Sequence, residues 1–193
     1  MEYFRIIPSY KRDVYFQYDT ERNLVDRGKL EFELQFPAND SILYYTVDKR
    51  DAYLKNYDFL PCIGPHLISK RFKELLEKFA PNAVRFYPAE IKFNDTEENN
   101  VSYYALIVTE AIACLDEQKS VVKPLLPSKP LGPKKIDTLY IDKSKVSDDF
   151  IFKIKNYEKI IMVSFSFLKN WNNQKFKGLL FAKEGSLNRP EFV

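Results

Sequence analysis

His66 is the single histidine of the 193-residue chain, so any acid–base or nucleophilic chemistry that uses an imidazole has to pass through it. The neighbouring thiol is Cys62, in Leu60-Pro61-Cys62-Ile63-Gly64-Pro65-His66; Cys114 is the other. A Cys–His dyad would work by the imidazole drawing the proton from the thiol. The stretch reads instead as a loop entering a helix, with His66 a structural residue. One histidine excludes a multi-histidine metal site and any Ser-His-Asp array that does not use it. The carboxylates Asp137, Asp142, Asp148 and Asp149 have the chemistry of an acid/base pair or a hard-cation site. Runs such as Asp142-Lys143-Ser144-Lys145 are, however, where acids cap turns. The 5 glycines form neither G-x-G-x-x-G nor G-x-x-x-x-G-K-[ST], so the loops that cradle phosphates are missing. The sequence predicts no catalytic, cofactor-binding or metal-binding residue, and no enzyme.

The elements that would hold these residues are mostly strands. Leu30, Phe32, Leu34 and Phe36 alternate with charged or polar residues over 29–36, which predicts a half-buried strand ended by Pro37. Tyr3–Ile7, Val14–Tyr18 and Ile42–Val47 are shorter β-branched or aromatic runs, and predict with it an N-terminal antiparallel meander. Ser69 is a good N-cap for a helix through Phe79, with Phe72, Leu75, Leu76 and Phe79 on one face and Pro81 beyond the end. Val84–Phe93, the polar run 94–100 and Val101–Leu115 then predict a β-hairpin. Prolines recur every third residue at Pro124, Pro127, Pro130 and Pro133, the period of a polyproline II helix. That segment reads either as a stiff crossover or as a P-x-x-P docking ligand.

Composition sets the class. With 45% hydrophobic and 30% charged residues, the chain has the make-up of an ordinary globular domain rather than a disordered or collagenous one. One domain over 1–193 is expected: a β-rich part over 1–58, then a core over 59–185 carrying the proline-rich crossover at 124–133. Two cysteines without a C-x-x-C pair point to a reducing compartment. Neither a signal-like apolar run nor a membrane-length one is present. The expected location is cytoplasmic. Charge is unevenly spread: residues 1–118 hold 15 Lys/Arg and 20 Asp/Glu, net −5, whereas 119–193 hold 15 and 7, net +8. A basic second half would steer acidic partners, protein or nucleic acid, toward it. The alternation Phe150-Ile151-Phe152-Lys153-Ile154-Lys155 reads as a strand with its lysines solvated.

Shifting the chain against itself by 95 residues sets Leu67-Ile68-Ser69-Lys70-Arg71-Phe72 over Met162-Val163-Ser164-Phe165-Ser166-Phe167. Leu76 then meets Trp171, Ala83 meets Gly178, Val84 meets Leu179 and Phe86 meets Phe181. Each copy reads strand, serine cap, amphipathic helix, small residue, strand. Two such units are expected to share a sheet. The predicted fold is α+β: a mostly antiparallel sheet, a few helices packed on it, and two strand–helix–strand units related by an internal repeat.

Three runs together carry a resemblance: Leu67–Phe79, Asn82–Ile91 and Tyr103–Asp116. The order continues through Leu139-Tyr140-Ile141-Asp142, Phe150–Ile154, Ile161–Ser164 and Phe176–Phe181. Over about 59–185 the chain resembles the immunity proteins of bacterial polymorphic toxin systems, specifically the eleventh family of that nomenclature. The proline-rich insert and Asn170-Trp171-Asn172-Asn173 depart from the family pattern. The resemblance implies a non-enzymatic α+β protein, cytoplasmic and without a cofactor, that binds a cognate toxin and blocks it sterically. Abundant tyrosine and phenylalanine and a polarised charge suit such a binder. Lys153, Lys155 and Lys159 are the expected partner-binding residues, over an interface of about 1,600 Å². A nucleic-acid-binding module using the basic C-terminal half is the alternative.

Overall fold

The computed structural model describes residues 1–10, 14–129, 131–147 and 150–193. In chain order its elements are β1 (Tyr3–Pro8), β2 (Phe16–Tyr18), α1 (Arg27–Glu31), β3 (Leu43–Val47), β4 (Phe59–Leu60), β5 (Cys62–Ile63), β6 (His66–Ser69) and α2 (Lys70–Phe79). They continue with β7 (Val84–Phe93), β8 (Asn99–Val108), β9 (Ala111–Ile112), β10 (Val121–Pro124), β11 (Lys134–Leu139), β12 (Ile151–Ile154), β13 (Tyr157–Ser164), α3 (Phe165–Asn173), β14 (Leu179–Ala182) and β15 (Gly185–Ser186). Strands predominate and most pairings are antiparallel, so the fold is α+β.

The chain divides into two compact units. The first comprises 1–7, 111–170 and 180–193; the second comprises 8–110 and 171–179. Within the first unit lie a five-stranded sheet, in the order β14-β1-β13-β12-β9, and a three-stranded sheet, β10-β11-β15. The second unit is built on a seven-stranded sheet, β4-β6-β8-β7-β3-β2-β5.

Helix α2 begins where its cap predicts: the Ser69 hydroxyl accepts from the Phe72 N–H at 3.3 Å, and Phe72, Leu75 and Leu76 are buried. It packs on β6, β7 and β8, and β7 and β8 form the expected hairpin. Four expectations are corrected. The period-two run 29–36 is not a strand. The Asp26 carboxylate accepts from the N–H groups of Gly28 and Lys29 and starts the short helix α1, while Leu34 sits at φ 53° and breaks any extended course. An N-cap bond made within three residues wins over an alternation that has no partner strand to pair with. Of the N-terminal meander only the β2–β3 antiparallel pair forms among the described residues. β1 pairs with β13 in the first unit, whereas β3 pairs antiparallel with β2 and parallel with β7 in the second. Nor do the two strand–helix–strand segments share a sheet. β8 lies between β6 and β7, and β1 between β13 and β14, so the strands of the two segments belong to different sheets. Finally, the proline-spaced run closes a hairpin instead of extending as a spacer: β10 and β11 pair antiparallel, and the Leu125 N–H donates to the Pro133 carbonyl at 2.7 Å. Pro130 lies outside the described residues.

The aromatic richness is spent largely inside. In the second unit the hydroxyls of buried tyrosines hold loops to the core: Tyr45 donates to Pro65 O at 2.9 Å, Tyr103 to Leu54 O at 2.6 Å, and Tyr18 to Val25 O at 2.7 Å. A ring can then fill the core while its one polar atom is satisfied. Burial pushes the Tyr18 phenol up to about 12 and the Tyr45 phenol well above its usual range. In the first unit Tyr3 packs edge-on against Phe152, and Phe167 lies against Phe150 and Phe181.

A buried carboxylate anchors the start of α2. Asp58 is 2% exposed and accepts from the Ser69 hydroxyl at 2.7 Å, from Arg71 Nε at 2.6 Å and from the Lys177 N–H at 2.9 Å. With Arg71 Nη2 donating as well, at 2.5 Å, four donors hold the carboxylate, which lets a charge sit in the interior.

Candidate partner-binding surface

The side chains singled out for chemistry in the sequence are placed as follows among the described residues. Cys62 and His66 stand on separate strands, β5 and β6. Burial pushes the Cys62 thiol up, and it donates to Leu60 O at 3.4 Å, the opposite of the shift that activates a thiol. Burial pulls the His66 imidazole down to about 4. Its ring lies 4.7 Å from that of Phe59, and its buried Nδ1 has no hydrogen-bond partner among the described residues. An imidazole packed against a phenyl ring fits a structural residue, but the stretch read as a loop is strand, β4 to β6. Cys114 is fully buried and its thiol is pushed up to about 11 by burial.

The carboxylates act as braces. A hydrogen bond from Lys123, at 2.6 Å, holds Asp137 below the usual carboxylate range, and Lys135 stands 3.8 Å away. Asp142 caps the turn at 143–145, accepting from the Ser144 hydroxyl at 2.6 Å, and is lowered chiefly by that bond. Asp148 and Asp149 lie outside the described residues. Among the described residues no three His, Cys, Asp or Glu side chains are grouped as metal ligands.

What the first unit does offer is a surface. A broad cleft of about 1070 Å³ is lined by Leu115, Asp116, Val122, Lys134, Lys145 and Lys155, among others. Asp116 is engaged by Lys119 at 3.1 Å and Asp142 by Lys145 at 3.6 Å, whereas Lys134 and Lys155 are in no ion pair among the described residues. The wall that carries Val122 and Lys134 is the β10–β11 hairpin. Its loop exposes Leu125, Leu126 and Leu131, the last at 99%.

Of the three lysines singled out in the sequence, Lys155 lines this cleft and Lys159 is exposed on β13. Lys153 is 5% exposed in β12, every residue of which is buried. The solvated-lysine reading fails there because β12 is an interior strand, with β13 on one side and β9 on the other, and period two assumes one wet face. The exposed leucines of the hairpin escaped the sequence reading. Their signal was present in apolar residues set between prolines, outside any periodic run.

The cleft and the exposed hairpin loop beside it stand on an α+β scaffold. The model of an immunity protein family, Immunity protein family (Imm11), matches residues 6–186, and the chain belongs to that family. The match reaches beyond the 59–185 stretch that carried the resemblance, taking in the end of β1 together with β2 and β3. No curated protein matches the chain. Among the described residues no helix is long and apolar enough to cross a membrane.

Proposed function

We propose that the chain neutralises a toxin encoded beside it, by binding the toxin and covering its active site or the path to it, in the cytoplasm of the producing cell and without chemistry of its own. The observation that carries this reading is the family match over 6–186. The quenched state of Cys62 and His66 supports binding over catalysis. Lys155 and Lys159, exposed on the first unit, are the proposed contacts; Lys153 is withdrawn from that set by its burial. We also read β6–α2–β7 and β13–α3–β14 as copies of a duplicated segment. In support, Ser69 and Ser164 each accept from the N–H three residues on at 3.3 Å, and Phe72 and Phe167 are buried at matching positions.

The test is titration of the purified chain against the toxin domain encoded next to it, together with growth of cells that express that domain with and without the chain. Stoichiometric binding, rescue of growth and no turnover or modification of the toxin are expected. A toxin that neither binds the chain nor is relieved by it overturns the reading.

A further inference from the structure

We propose that the β10–β11 hairpin is the anchor of the toxin interface, its leucines entering an apolar depression with an acidic rim on the cognate toxin domain. This rests on the immunity reading above and adds to it the contact element and the chemistry of what receives it.

The loop departs from what a solvent-facing connection needs. Leu125 and Leu126 are 53% and 52% exposed and Leu131 is 99% exposed, three large apolar side chains within one hairpin loop. Scattered single leucines on a surface are ordinary; a group at a loop tip is the mark of an association site. Folding gains nothing from a side chain as exposed as Leu131, which a polar residue would replace at no cost to the core.

Charge defines the receiving surface. Residues 118–136 contain Lys119, Lys123, Lys129, Lys134 and Lys135 and no Asp or Glu. Lys119 is taken by Asp116, while Lys123 and Lys135 are taken by Asp137. Lys129 and Lys134 are in no ion pair among the described residues, and they flank Leu131 in sequence. An apolar centre with a cationic rim is the anatomy of an interface anchor, whose complement is an apolar depression rimmed by carboxylates.

The loop is also built before the partner arrives. The Leu125 N–H donates to Pro133 O at 2.7 Å, the Lys129 N–H to Leu126 O at 2.9 Å and the Gly132 N–H to Lys129 O at 2.9 Å. Pro127 and Pro133 fix their own φ angles. Such bracing cuts the entropy lost when the leucines are immobilised, which favours slow dissociation.

The experiment measures association and dissociation rates of the purified chain with the toxin domain encoded beside it, for wild type, Leu125→Ser/Leu131→Ser and Lys129→Glu/Lys134→Glu. Sedimentation and thermal melting of each variant run alongside. The leucine pair should dissociate about thirtyfold faster at little change in association. The lysine pair should associate about tenfold more slowly at low salt, converging on wild type at high salt. Should the double leucine variant melt early, Leu131→Ser alone serves, since that side chain touches little of the fold. Wild-type rates in both variants overturn the anchor and leave the immunity reading standing, whereas a wild-type chain that binds no toxin overturns both. Leucine variants that keep toxin affinity but lose self-association reassign the tip to a second copy of the chain and also overturn the proposal.

Discussion

At the scale of single residues, burial decides what chemistry each side chain retains. His66 shows this with a sign that can be measured. Its folded imidazole sits at about 4 against about 6.5 in an unfolded chain. Between those values the unfolded chain takes a proton that the folded one refuses, so the stabilising contribution is present above about pH 6.5 and is lost as pH falls toward 4. We expect His66→Gln to flatten the fall in stability between pH 6.5 and 4.5, by up to one proton, in urea unfolding at a series of pH values. An unchanged slope would mean that the ring is wetter than its packing on Phe59 shows. Asp58 presents the complementary case, a buried carboxylate kept by donors from Ser69, Arg71 and Lys177. No local pattern around Asp58 announces those donors, because Lys177 lies more than a hundred residues away.

At the scale of elements, close approach of backbones sets the harshest constraint. Gly178 has φ +115°, and a Cβ placed there would stand 2.1 Å from the Phe59 carbonyl oxygen. Gly185 has φ +135° but open space around it. Gly178→Ala should therefore cost about 3 kcal/mol or more, since strain and overlap add, and Gly185→Ala about 1–2 kcal/mol from strain alone. Thermal melting of the two variants separates the contributions; equal losses would remove the overlap. Legibility in the sequence follows the same division between local and distant causes. Helix α2 and the β7–β8 hairpin were readable because a cap, an apolar face and a polar turn lie within a few residues of one another. The run 29–36 was misread because alternation shows only that a strand is allowed. Whether it pairs depends on a neighbour that the run itself does not supply, and Asp26 offered a nearer bond.

At the scale of the whole molecule, the fold redistributes charge. The contrast of −5 and +8 between the sequence halves becomes +4 on the first unit (14 Lys/Arg, 10 Asp/Glu) and −1 on the second (16 and 17). The acidic and basic stretches are interleaved between the units, which weakens the motive for a nucleic-acid-binding half and leaves a moderate field for protein encounter. Lys155→Glu with Lys159→Glu should slow association with the toxin domain about tenfold at low ionic strength while leaving melting unchanged. An unaltered association rate takes both residues out of the interface. The amino-acid sequence by itself determined the α+β class, the capped helix, the lack of a second histidine and of a glycine-rich phosphate-loop motif, and a family resemblance across the core, because each rests on composition or on bonds between near neighbours. Tertiary structure alone decided that the repeat-like segments occupy separate sheets, that Lys153 is interior, that the tyrosines serve the core, and that β10 and β11 pair as a hairpin with Leu125, Leu126 and Leu131 in solvent. Those outcomes depend on which distant strands pair and which faces they cover, a choice made by the burial of whole surfaces.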